Sequence, residues 1–263
     1  MEKERVDILI VKRGLAESRQ QAQALVMAGL VFSGTQRIDK SSHMIETDKD
    51  LNVKDSLPYV SRGGLKLREA IQSFQFVVSG KTVADLGAST GGFSDCLLQH
   101  GANKVYAVDV DIRQLDWRLR NNSRIVPIQK NARYLRGDDF HDVLDLVTID
   151  LSFISVLKVL PSVKEFLTAG EIICLIKPQF EAERRQVGKK GIIRDLTVHE
   201  EVLNRVAYEA RKIGFDFQNA MKPSVKGQKG NQEYFILWSS GKLRGKRDKA
   251  KTLIKEIVWN EKD

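Results

Sequence analysis

Four charged residues stand where apolar elements begin or end. Leu144 to Phe153 is an apolar run that delivers Asp150 near its C-terminal end. Glu171 to Phe180 is a second such run, closed by Lys177, with Pro178 next to stop the ladder. Lys66 starts an amphipathic helix with Leu65, Leu67, Ala70, Ile71 and Phe74 on its apolar side. Glu233 lies at the start of a late strand, Asn231 to Trp238. An antiparallel setting would put that start beside the C-terminal ends of parallel strands. Lys66, Asp150, Lys177 and Glu233 then converge at one sheet edge. Two ammonium groups and two carboxylates so placed hold one another by charge-assisted hydrogen bonds. A partly buried lysine beside a second cation is also a candidate proton acceptor. Taken singly, each residue has a plainer use. A lysine at an element end usually just reaches water, and a glutamate opening an edge strand is often a solubility device.

The element that must carry these residues is a sheet, and Thr82 to Phe93 shows which kind. An apolar run ends in Asp85, and a loop containing Gly87, Ser89, Thr90, Gly91 and Gly92 follows. Phe93 to Leu98 then resumes at helical spacing. Strand, Gly-rich turn and helix make the first unit of a nucleotide-binding α/β sheet. The glycines let backbone approach a ligand where a Cβ would collide. The spacing is not G-x-G-x-x-G, so the dinucleotide fingerprint is absent. Lys104 to Asp109 is the second strand. Asp109, with Val110 after it, stands about 20 residues past the turn, where an acid accepts ribose hydroxyls or caps the next helix. Arg124 to Gln129 is a third strand, followed by Lys130, Asn131, Ala132 and Arg133. Ligands of open α/β sheets bind beyond the carboxyl ends of the strands. Asp85, Asp109 and Asp150 at three such ends are hard to explain by packing. The expected fold class is α/β: a Rossmann-like, mostly parallel sheet with an antiparallel last strand.

The front of the chain reads as a separate small α+β module, residues 1–58. Val6, Leu9, Ile10 and Val11 recur at helical spacing until Gly14. Ser18 caps a second helix, Arg19 to Ala28, ended by Gly29. Leu30 to Phe32 is a short strand and Ser33 to Thr35 a turn, while residues 51–58 look like a linker. Lys12, Arg13, Arg19 and Gln20 gather where one helix ends and the next begins, a setting for phosphate or a solvated charged face. Behind the module come the main domain, 59–240, and a basic tail or terminal helix, 241–263. That tail holds Lys242, Arg244, Lys246, Arg247, Lys249 and Lys251. Glu181 to Arg194 is a polar loop with Arg184, Arg185, Lys189, Lys190 and Arg194, either a substrate grip or a connector. Thr197 begins the next helix, with Glu200 three residues on. Lys222, Lys226 and Lys229 form a second basic loop before Glu233.

Composition narrows the class. A net charge of +9 suggests a polyanionic partner, of which nucleic acid is the commonest, though it also serves solubility. The two cysteines, Cys96 and Cys174, lack metal-ligand spacing and suit buried sites in a reducing cytoplasm. No signal core and no apolar run of about 18 residues is present, so neither export nor a membrane span is expected.

Several phrases also carry a family resemblance. D-x-G-x-x-x-G-G-F, here Asp85 to Phe93, resembles motif I of S-adenosylmethionine methyltransferases in its FtsJ-like form. Arg5-Val6-Asp7, then S-R-x-x-A-x-x-L-V-x-x-G-x-V from Ser18, resembles the S4-like RNA-binding domain. With Y-V-S-R-G-G-L-K-L, D-L-S-F-I-S and I-K-P-Q-F-E added, nearly the whole chain resembles the TlyA (hemolysin A-like) ribosomal RNA methyltransferases.

The resemblance implies a reaction: 2′-O-methylation of cytidine in 16S and/or 23S ribosomal RNA, with S-adenosyl-L-methionine as cofactor and no metal. Some members modify both subunits and others only the small one. The partners implied are ribosomal RNA or ribosomal subunits. Lys66, Asp150, Lys177 and Glu233 match the Lys-Asp-Lys-Glu tetrad of FtsJ-like 2′-O-methyltransferases. Lys177 would orient and deprotonate a hydroxyl that is a poor nucleophile at neutral pH, and the carboxylates would hold the lysines. The methyl transfer itself is largely positioning. The cofactor site implied comprises Asp85, Gly87, Ser89, Thr90, Gly91, Gly92, Phe93, Asp109, Val110, Asn131, Ala132 and Asp150. The RNA contacts implied are Lys12, Arg13, Arg19, Gln20, Arg62, Arg133, Arg184, Arg185, Lys189 and Lys190. The alternative is a non-catalytic ribosome-binding assembly factor on the same fold. An S4-containing pseudouridine synthase would have no such Gly-rich turn, and no amphipathic pore former supports membrane lysis.

Overall fold

The computed structural model describes residues 3–16, 18–27, 29–53, 58–188, 190–227, 230–241 and 247–260. The chain divides into two compact units, Met1–Pro58 and Tyr59–Asp263.

In the first unit, β1 (Lys3–Arg5) leads into α1 (Val6–Lys12), and α2 (Arg19–Met27) follows. Four short strands complete it: β2 (Val31–Ser33), β3 (Gln36–Arg37), β4 (Met44–Glu46) and β5 (Asn52–Val53). Helical spacing puts Val6, Leu9 and Ile10 on one buried face of α1, against Ala22 and Val26 of α2. The main-chain N–H of Gln21 donates to Ser18 Oγ at 3.2 Å, the expected cap. Ala28 lies outside the described residues. The linker starts later than its composition suggests. Leu51 is buried, and β5 pairs with β2, so the module extends at least to Val53. Asp55 and Ser56 lie outside the described residues.

Asp7 organises this unit. Its buried carboxylate accepts hydrogen bonds from Arg5, Arg19 (3.0 Å) and Gln23 (2.8 Å). The hydrogen bond from Arg5, more than burial opposes it, holds Asp7 well below the usual carboxylate range. An acid whose folded pKa is lowered adds stability above its unfolded pKa and loses it as pH falls. Asp7→Asn is therefore expected to lower the unfolding midpoint by several degrees at pH 7. The gap to the parent should narrow below about pH 4, which thermal unfolding across pH would reveal.

The second unit begins with α3 (Arg62–Ser73), β6 (Thr82–Leu86), α4 (Gly92–Gln99) and β7 (Lys104–Asp109). It continues through α5 (Trp117–Arg120), β8 (Ile125–Gln129), β9 (Leu146–Ile149), α6 (Leu160–Phe166) and β10 (Gly170–Ile176). The last elements are α7 (Pro178–Glu181), α8 (Leu196–Ile213), β11 (Phe215–Met221), β12 (Tyr234–Ser240) and α9 (Arg247–Trp259). The seven strands order as β11-β12-β10-β9-β6-β7-β8. From β10 to β8 all pairings are parallel, and β12 runs antiparallel to β10 and to β11. Successive side chains alternate between two cores. Tyr106 and Val108 enter one, Val105 and Ala107 the other. Burial on both faces is why these strands read as unbroken apolar runs.

Three local expectations change. Lys66 sits in the second turn of α3 rather than at its start. The cap of α8 is Asp195, whose Oδ1 accepts from the Thr197 N–H at 2.9 Å. The 181–194 segment is not wholly a polar loop. Glu181 is buried at the end of α7 and accepts from Ser155 Oγ (2.6 Å) and the Val156 N–H (2.7 Å). The basic C-terminal stretch forms α9, which buries Ile254 and Val258 in the larger core. Lys242, Arg244 and Lys246 lie outside the described residues. Among those described, no helix is long and apolar enough to cross a membrane.

Candidate active site

A cavity of about 310 Å³ opens at the carboxyl edge of the parallel strands. The sheet register explains who meets there. Ile149 lies beside Cys174 and Leu86, so the residues following β9, β10 and β6 emerge together. Ile176 lies beside Tyr234, so Glu233 and Lys177 are neighbours across the antiparallel pair. Lys66 reaches in from α3. Its Nζ donates to Glu233 Oε2 at 2.6 Å, with the side chains 12% and 3% exposed. Lys177 Nζ lies 2.6 Å from Asp150 Oδ1 and donates to Ser152 Oγ at 3.0 Å. All four residues line the cavity. A Cβ on Gly227 would lie 2.1 Å from Glu233 Oε1, so the loop before β12 closes tightly over that carboxylate.

The Gly-rich turn forms the opposite wall with Gly87, Ser89, Thr90 and Gly92. Two of its glycines make room for neighbouring protein atoms. Gly87 has φ +86°, and a Cβ there would lie 2.4 Å from the carbonyl oxygen of Asp150. At Gly91, φ +94°, the obstacle would be Leu119, at 2.2 Å. The carboxylate of Asp109 braces the turn, accepting from the N–H groups of Ser89 (2.9 Å) and Asp111 (3.0 Å). Val110 beside it is exposed. Asn131 caps the turn after β8 by accepting from the Arg133 N–H at 3.0 Å, and Ala132 is buried. Phe93 is a buried cavity wall, stacked on Phe235 with ring centroids 6.0 Å apart.

Asp85 does not line the cavity. It is fully buried behind the turn and accepts from Ser94 Oγ (2.6 Å) and Thr148 Oγ1 (2.9 Å). Burial pushes its pKa up to about 6, against the pull of the two hydroxyls. An acid raised in this way stabilises the fold below its unfolded pKa, near 4, and loses that contribution as pH rises through about 6. Asp85→Asn keeps an acceptor and removes the buried charge. The variant is expected to melt above the parent at pH 8, with the advantage gone by about pH 4, as thermal unfolding would show.

The residues expected at RNA are spread more widely. Arg62 lines the cavity. Gln20, Arg133, Arg184 and Lys190 are exposed, Arg133 lying over the Tyr134 ring. Arg185 is exposed and paired with Glu183. Three cations of the first unit already have partners: Lys12 with Glu4, Arg13 with the Thr47 carbonyl, and Arg19 with Asp7. Lys189 and Lys229 lie outside the described residues. Ser61, Ser152, Phe153, Gln179 and Phe180 also line the cavity, and none was singled out from sequence. Four of them flank Asp150 and Lys177, within two phrases already noted as distinctive.

A mostly parallel α/β sheet with a Gly-rich first turn and paired lysines at its carboxyl edge is the architecture of a methyltransferase. The FtsJ-like methyltransferase family matches residues 59–239, and the S4 domain matches 4–51. The chain belongs to the FtsJ-like methyltransferases, in the TlyA (hemolysin A-like) group. It is 45% identical over 238 residues to a candidate rRNA methyltransferase, YqxC, of Bacillus subtilis, covering 89% of this chain and 85% of that one. It is 40% identical over 250 residues to the 16S/23S rRNA (cytidine-2′-O)-methyltransferase TlyA of Mycobacterium tuberculosis, covering 94% and 91%. A solved structure described as a candidate hemolysin from Streptococcus thermophilus is 40% identical, with a TM-score of 0.75 and coverage of 98% and 96%. One expectation about the group changes. The TlyA of Campylobacter jejuni, 33% identical over 89% of this chain and 98% of its own, is named for 23S rRNA alone, so a single-subunit member need not act on the small one.

Proposed function

We propose that this protein transfers a methyl group from S-adenosyl-L-methionine to the ribose 2′-hydroxyl of a cytidine in ribosomal RNA. The observation that carries the proposal is the meeting of the Lys66–Glu233 and Lys177–Asp150 pairs in a cavity walled by the Gly-rich turn. The residues at the other strand ends suit the cofactor. Asp109 is a partly exposed carboxylate for ribose hydroxyls, Val110 offers an exposed apolar side to a base, and the turn presents main chain. Bound there, S-adenosylmethionine supplies a methyl carbon activated by its positive sulfur. Lys177 Nζ takes the proton that the hydroxyl loses, and Asp150, 2.6 Å away, stabilises the ammonium that results. Glu233 holds Lys66 in place as the second cation. At the rim, Phe153 is exposed and lies 5.0 Å from the Phe180 ring, a surface on which a nucleobase can stack.

The substrate is ribosomal RNA or a subunit carrying it, and the compartment is the cytoplasm, where such subunits are. The test is methylation of purified 30S and 50S subunits with labelled cofactor, followed by mass mapping of the RNA. A 2′-O-methylcytidine that forms only with protein and cofactor together is the expected result. Cofactor binding without transfer to either subunit would favour the assembly-factor reading.

A further inference from the structure

We propose that Ser152 is a positioning residue that aims the Lys177 amine at the substrate hydroxyl, an inference resting on the role proposed for Lys177 above. Lys177 has two polar partners. Nζ forms an ion pair with Asp150 Oδ1 at 2.6 Å. It also donates a hydrogen bond to Ser152 Oγ, at 3.0 Å. An amine acting as a base is tetrahedral, with two N–H bonds and one lone pair. It turns about its last carbon–nitrogen bond, so a single contact leaves the lone pair undirected. Two contacts in different directions fix it. With one N–H on Ser152 and the other facing Asp150, only one direction remains for the lone pair.

The local chain supports this arrangement. Asp150 and Ser152 stand two residues apart on the segment leaving β9, and both line the cavity with Lys177. Phe153 has φ +64°, a left-handed conformation uncommon for a bulky residue, so the chain turns sharply just after the serine. Ser152 is itself exposed. The plain use of an exposed serine is solvation, which would not set its oxygen on the ammonium of a lysine that is 11% exposed.

The experiment compares Ser152→Ala, Ser152→Cys and Ser152→Thr in the full-length protein. Single-turnover methylation of ribosomal subunits is measured at saturating cofactor, with separate titrations of cofactor and of subunits. Alanine and cysteine remove a good acceptor with little change in volume. Both are expected to slow methyl transfer about 10-fold while both affinities stay within about twofold. Threonine keeps the hydroxyl and is expected to stay within about threefold of the parent rate. An alanine variant as fast as the parent overturns the proposal. So does subunit affinity falling in step with rate, since the hydroxyl would then be binding RNA directly. A threonine variant as slow as alanine also overturns it. Lys177→Ala run alongside separates the two levels. If that variant keeps the parent rate, the base assignment itself fails. If it is inactive while Ser152→Ala is fully active, only the role of Ser152 fails.

Discussion

Lys177→Ala is expected to abolish methyl transfer to ribosomal RNA while leaving cofactor affinity within about threefold. A positioned proton acceptor contributes about 10²- to 10⁴-fold to rate, and the methyl group cannot move to an oxygen that keeps its proton. Lys177 emerges from β10, whereas the residues suited to the adenosine stand at the ends of β6, β7 and β8. Binding and chemistry should therefore separate. Of the two lysines, Lys177 gives the cleaner test. Removing Lys66 would strand Glu233, which is 3% exposed, as an unpaired buried charge. Removing Lys177 leaves Asp150, 24% exposed and able to recruit water. Single-turnover rates and cofactor calorimetry on the same preparation decide the matter. A rate loss smaller than about 10-fold would rule out the base assignment.

The parts of this site that were legible in the sequence were those written as strand ends. Strands buried on both faces appear as apolar runs, so the charged residue closing each run marks the sheet's carboxyl edge. Asp150 and Lys177 stand out in this way, whereas Glu233 opens its strand and reaches the same edge only because β12 runs antiparallel to β10. Asp85 shows the limit of the rule. The strand continues through Leu86, so Asp85 lies one residue inside the ladder, and its carboxylate turns in toward Ser94 and Thr148. Period-two geometry makes one residue the difference between lining a cavity and lying behind it. Gly87 was legible as a glycine needing space, but not the carbonyl of Asp150, 63 residues away in the chain, that packs against it. Glu181 was misread for a similar reason. Its hydrogen-bond partners, Ser155 and Val156, are too distant in sequence to signal burial. Strands of two or three residues such as β1 and β5 are too short to show any alternation.

Deleting residues 1–58 is expected to leave a unit that folds and binds S-adenosylmethionine but methylates ribosomal subunits poorly when they are limiting. Among the described residues, the apolar core of residues 6–53 forms a cluster of its own, and every residue lining the cavity lies beyond residue 58. The truncated protein therefore keeps its chemistry. What it loses is a second point of attachment, and two linked binding modules gain far more than either alone through effective concentration. A fall in kcat/KM of at least about 10-fold follows, with the rate at saturating subunits much less affected. Charge makes the prediction sharper. Residues 1–58 hold nine Lys and Arg against nine Asp and Glu, so the whole net charge of +9 belongs to residues 59–263. Lys12 and Arg19 are moreover tied to Glu4 and Asp7. The salt dependence of RNA binding counts phosphates neutralised by free cations. It should therefore stay nearly as steep in the truncated protein, its logarithmic slope changing by less than about two. The measurement is subunit binding from low to moderate salt, with methylation rates at limiting substrate, for both forms. Equal kcat/KM would remove the front module from substrate capture. A slope that collapses on truncation would show instead that the phosphate contacts sit on that module despite its neutral charge.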